Sequence, residues 1–164
     1  MHVSPAWLRA SLLPAILLVG LFGASTVSAA DEPVAAPSTV TMAGTGVLAA
    51  QGGGHARLAG SYVLTGSLDG GTLEIRGIDR WSTVRVTGWL SRTRLADGAL
   101  AYRFGERTGR YWIAGRSLAT TIESDAMRFR AAGHGRATLS GEGSYWINRR
   151  GPLPWSDPGV DAAF

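Results

Sequence analysis

The side chains able to do chemistry are few. Downstream of residue 30 the histidines are His55 and His134, both expected on the solvent side of Gly-rich strands. Such a pair can ligate a metal only with further donors, and the chain has no Cys, no H-x-x-x-H spacing and no acidic cluster beside either histidine. No metal and no cofactor is expected. Gly52-Gly53-Gly54 is not followed by Lys-Ser/Thr or by a helix, so it does not read as a phosphate cradle. No G-x-S-x-G elbow offers a nucleophile. Glu74, Asp79, Glu123 and Asp125 supply the carboxylates that a glycoside hydrolase would need in a facing pair, which is the enzymatic alternative. The aromatic residues give a different chemistry. Trp112 and Trp146 occupy matching places in two Tyr-Trp-Ile triplets, and Arg110 and Arg128 share the predicted outward face. Exposed indoles beside guanidinium groups stack on sugar rings and meet acidic polymers.

Strands must position these groups. A phrase of the form A-x-G-x-G-x-A-x-L-x-G occurs twice, from Ala50 to Gly60 and from Ala131 to Gly141. Period-two alternation puts its Ala, Gly and Leu on one face and its His, Arg and Thr on the other. Gly weakens a strand unless another backbone must come close, so the small face predicts tight packing. The same alternation sets Leu73 and Ile75, Val84 and Val86, Tyr111 and Ile113, and Met127 and Phe129 inward, with their neighbours outward. Asp69-Gly70-Gly71 and Asp97-Gly98 provide tight turns. Nothing carries helical period. These signals predict an all-β two-layer antiparallel β-sandwich of about ten short strands, with a short β-solenoid as the alternative. Trp81 and Trp89, near strand ends, are expected to cap the core.

The chain divides by composition. Residues 1–30 read as a signal peptide: Arg9, an apolar run from Ala10 to Gly23, and the small-residue end Val27-Ser28-Ala29-Ala30. The alternative is a retained N-terminal membrane anchor. Residues 31–40 read as a flexible leader, 41–148 as the all-β domain, and 149–164, with Pro152, Pro154 and Pro158, as a loose Pro/Gly-rich C-terminal tail in which Trp155 can act as a pin. All sixteen basic residues are Arg, and amides are scarce, a bias that suits a GC-rich bacterial genome. The arginines are spread out rather than clustered, which argues against nucleic acid as a partner. Without Cys, stability must come from packing and backbone pairing.

Gly44-Thr45-Gly46, the two repeated phrases, Gly71-Thr72-Leu73, Val84-Arg85-Val86-Thr87-Gly88 and Ile113-Ala114-Gly115 together resemble small exported Gly-rich β-proteins of bacteria. That resemblance covers about residues 44–147 and implies a β-fold and an envelope location, but no activity. The sequence is thus expected to encode a secreted or cell-envelope, non-catalytic β-module that binds a cell-envelope polysaccharide or a protein weakly. It is expected to have no membrane span after signal cleavage. The alternatives are the carboxylate-pair hydrolase and a self-associating structural domain.

Overall fold

The computed structural model describes residues 38–40, 45–156 and 158–164. The expected signal peptide, 1–30, and most of the expected leader lie outside the described residues. Within that leader, however, residues 38–40 are a paired strand.

The described residues are all-β and contain no helix. Seven strands form one sheet: β1 (Ser38–Val40), β2 (Gly46–Arg76), β3 (Thr83–Thr87), β4 (Ser91–Arg94), β5 (Leu100–Ile147), β6 (Arg150–Trp155) and β7 (Val160–Ala163). Pairing is antiparallel except between β1 and β7. The ten short strands expected from the sequence are not separate elements, because most of the short alternating runs join into β2 and β5. The joining changes the geometry. Gly133 pairs with both Gly46 and Tyr62, and Phe129 with both Ala50 and Gly66. A straight strand would carry Gly46 and Tyr62 roughly 50 Å apart, whereas flanking one residue puts them about 10 Å apart. β2 must therefore curl back on itself, and β5 curls with it.

The curl always turns the same way. Leu48, Ala50, Ala56, Leu58, Tyr62, Leu64 and Leu68 are buried at alternate positions, and the phase moves to Leu73 and Ile75 only after the turn at Gly70-Gly71. One face of the ladder thus stays inside, where it meets Tyr111, Ile113, Ile122, Phe129 and Leu139 from β5. The inward assignments read from alternation agree with this burial.

The two copies of the repeated phrase lie against each other, antiparallel. Ala56 pairs with Leu139, Leu58 with Ala137, Gly54 with Gly141 and Gly60 with Gly135, so each large side chain faces a small one. An antiparallel pairing is not the turn-upon-turn stacking of a parallel solenoid. At Gly54 and Gly141 the backbone has φ of 122° and 117°, a region that side chains avoid. A Cβ at Gly54 would lie 2.2 Å from the Ser140 carbonyl oxygen, and one at Gly141 would lie 2.3 Å from that of Gly53. The two backbones can meet here only without side chains.

The tail expected to be loose is built into the sheet. β6 pairs along Gly143–Ile147 and β7 along Arg136–Leu139, and Trp155 and Phe164 are each 2% exposed. The glycines explain why. Gly52 and Gly143 leave a hollow filled by the Trp155 ring, and Phe164 sits over Gly135 while exchanging backbone hydrogen bonds with it at 2.6 and 2.9 Å. Pro152 and Pro154 are tolerated because β6 needs partners on one side only.

Leu139→Ala is expected to cost ~2–5 kcal/mol by opening a cavity, and Trp155→Ala ~3–5 kcal/mol. His134→Ala removes one exposed hydrogen bond, to Thr45 Oγ1 at 2.9 Å, and should cost well under either. Thermal melts test the order, and a His134 variant as damaging as Leu139→Ala would refute the face assignment.

Two buried tyrosines give an opposed pair. Tyr62 donates to Thr120 Oγ1 at 2.9 Å, whereas the Tyr111 hydroxyl is buried with no hydrogen-bond partner. Tyr62→Phe should therefore lose ~1 kcal/mol and Tyr111→Phe gain ~1 kcal/mol in denaturant titrations. Burial pushes Tyr62 from its ordinary 10.0 up to about 12 and raises Tyr111 as well. The unfolded chain releases these protons first, so stability should be intact below pH 10 and fall as pH rises from there towards about 12. The Tyr62→Phe variant should lose less stability over that window.

Candidate functional site

Outward side chains of the curled ladder fall into rows that run across the strands. In one row Trp146 pairs with Ala49, Ala49 with Arg130, Arg130 with Thr65, Thr65 with Trp112, and Trp112 with Arg85. The next row holds Ser144, Gln51, Arg128, Ser67, Arg110 and Thr87. Trp146 and Trp112 are therefore four strand spacings apart, about 19 Å, with an arginine between them. Arg110 and Arg128 rise on either side of Ser67. Small residues separate the large ones, and the result is a groove of about 590 Å³ lined by Trp146, Arg110, Arg128, Arg130, Gln51 and Ser67, among others. A second hollow shares Gln51, Ser67 and Arg128 and continues to Asp69 and Asp125.

Three of the four residues singled out from sequence, Trp146, Arg110 and Arg128, thus line one groove. Trp112 stands beside it, 37% exposed, with the Arg85 guanidinium 5.8 Å from its ring centroid. Trp146 is only part-exposed, because Gly151 of β6 lies against its ring. Arg130 also lines the groove, and the motif spacing alone does not mark it. Its signal was present in the alternation that sets Arg128 and Arg130 outward beside Met127 and Phe129, but Gln51 and Ser67 required the register. Among the described residues the ion pairs are those of Arg76 with Glu74 and Asp97, so none of the groove arginines is held in an ion pair, while Asp69 and Asp125 line the adjoining hollow with Arg128.

The other candidates are dispersed. His55 pairs in register with Glu123 and Ser140, and His134 pairs with Ser61, so the two histidines share no cross-strand position. Among the described residues no three His, Cys, Asp or Glu side chains are gathered as a metal site. Glu74 is held by Arg76. Asp79 accepts hydrogen bonds from the Ser82 hydroxyl at 2.7 Å and the Trp81 amide at 3.0 Å, and these hold its carboxyl below the usual range. Glu123 and Asp125 do line a hollow of about 420 Å³ with His55 and Arg103. They come from one stretch of β5, two residues apart, rather than from facing walls.

Trp81 and Trp89 do not cap the core. They are 65% and 45% exposed, because each sits in a turn at the sheet's edge that directs it outward. Comparison of the chain with protein-family models, with curated proteins and with solved structures finds no match.

Iodide should quench Trp81, Trp89 and Trp112 and spare Trp155. Trp112→Phe is then expected to remove part of the quenchable emission and Trp155→Phe part of the protected emission. Equal quenching of both variants would contradict the placement.

Proposed function

We propose that this chain is an exported, non-catalytic envelope or extracellular module that binds an acidic polysaccharide along the groove between Trp146 and Trp112. The observation that carries the reading is the pair of cross-strand rows, which set two indoles about 19 Å apart with Arg130 between them and Arg128 and Arg110 alongside. A row of that length suits several consecutive sugar units better than one small molecule. Aromatic faces stack on sugar rings, and guanidinium groups without internal partners suit carboxylate or phosphate substituents. The placing of the carboxylates favours binding over hydrolysis, since Glu74 and Asp79 are engaged elsewhere and Glu123 and Asp125 share one strand.

Two further parts of the proposal concern architecture and address. The straight pieces between glycine corners form two self-contained pairing sets. One holds 46–52, 62–69, 108–115, 126–133 and 143–147, and the other holds 54–60, 72–76, 100–104, 118–124 and 135–141. We read these sets as the two layers of a flattened, rolled sandwich. Export rests on the apolar run and small-residue end within residues 1–30, and kinship with the small exported Gly-rich β-proteins of bacteria belongs to the same reading.

Polygalacturonate and its methyl ester test the function, because they share a backbone and differ in charge. The acidic form should bind, the ester should bind more weakly, and added salt should reduce the difference. Trp146→Ala should weaken binding by roughly 2- to 30-fold, and the Arg110→Ala/Arg128→Ala pair by roughly tenfold or more. Unchanged binding in these variants overturns the groove, and release of shorter oligosaccharides would identify a hydrolase instead.

A further inference from the structure

The segment between β2 and β5 holds the most exposed apolar side chains among the described residues. Leu90 is 70% exposed, Trp81 65% and Trp89 45%. None belongs to the groove described above. Exposed apolar side chains mark interaction sites when they are gathered rather than scattered singly, and here Trp89 and Leu90 are neighbours at one end of β3 while Trp81 stands at its other end. Asp79 receives the Trp81 amide and the Ser82 hydroxyl, which fixes the turn that projects Trp81. Arg80 lies 4.9 Å from the Trp81 ring centroid. At the other end of β3, Gly88 has φ of 79° and turns the chain outward at Trp89, and the Leu90 amide bonds the Arg103 carbonyl at 2.8 Å.

These residues flank two edge strands, since among the described residues β3 pairs only with the 110–114 stretch of β5 and β4 only with the 100–103 stretch. The charge of that edge selects its partner. From Ile78 to Leu95 the chain carries Arg80, Arg85, Arg92 and Arg94 against the single acid Asp79. A second copy brought to the same edge would set these arginines against each other. Trp, Leu and Arg projecting from one edge match the interfacial region of a bilayer, where indole sits at headgroup level and arginine meets anionic lipid.

We infer that the β3–β4 edge, through Trp81, Trp89, Leu90 and the flanking Arg80 and Arg94, docks on the surface of a membrane rich in anionic lipid. This inference is independent of polysaccharide binding and uses residues outside the groove.

Vesicles of phosphatidylcholine alone, or mixed with phosphatidylglycerol brominated in its acyl chains, test it. The N-terminal segment carries Trp7, so every variant is made on a Trp7→Phe background of the full chain, and the emission followed comes from the other five tryptophans. Tryptophan emission should be quenched by the brominated anionic vesicles, and the Trp81→Phe/Trp89→Phe pair should lose most of that quenching. Arg80→Gln/Arg94→Gln should weaken partition onto anionic vesicles by roughly thirtyfold, about fivefold for each charge. Trp112→Phe/Trp146→Phe should keep the quenching, and its loss in that pair would move the contact to the groove face and overturn the inference. Quenching that survives in Trp81→Phe/Trp89→Phe overturns it too. So does a dimer that Leu90→Asp dissociates, which would make the edge a contact between copies.

Discussion

The close approach of two backbones at paired glycines is the constraint that the rest of the structure depends on. Where Gly54 passes Gly141, a side chain on either residue would lie within 2.2 or 2.3 Å of the other strand's carbonyl oxygen. Gly60 and Gly133 repeat the arrangement, with would-be Cβ atoms 2.2 Å from the His134 and Ser61 oxygens. These approaches let the ladder bend sharply while its hydrogen bonds continue. Because the bends keep one face inside, a chain with no Cys and no helix among the described residues still encloses a core of Leu, Ile, Tyr and Phe. The conformational cost of so many glycines is offset by the burial that the bends make possible.

Glycines that permit bending also leave hollows, and aromatic rings, two of them from the C-terminal residues, fill them. Trp155 covers the pair Gly52 and Gly143, Phe164 covers Gly135, and Phe104 packs on Gly109. An aromatic ring over a strand glycine recovers apolar contact that the missing side chain forfeits. The last residues are thus part of the core. The Tyr62 ring, 6.2 Å from that of Phe164, ties this closure to the middle of β2.

What was legible in the sequence follows from the range of the interactions concerned. Face assignments need only the neighbour two positions away, so Leu58, Leu139, Tyr111 and Phe129 were read correctly as inward. Register needs partners from the far end of the chain, so the short alternating runs look like separate strands in sequence although most of them join into two long ones. The tail looks loose in sequence because Pro and Gly signal loops locally, whereas an edge strand accepts both when a Trp and a Phe anchor it. Trp81 and Trp89 look like core residues in sequence because large aromatics are usually buried, and the Asp79 turn and the bend at Gly88 are what place them at the surface. In the groove, the types Trp and Arg were legible, and the row that aligns them was not.

The outer surface bears on what kind of ligand suits this fold. Each groove arginine is exposed, so its attraction for an anion is weakened by water and salt, and no single contact can give high affinity. Rows of outward groups are nonetheless held at strand spacing by the hydrogen bonds of the ladder. A small anion would use one or two of these groups, whereas an extended chain of sugars uses the whole row at little further entropic cost to the protein. On the proposed reading, the strand spacing that glycine packing sets on the inside suits, on the outside, a repetitive ligand lying across the strands.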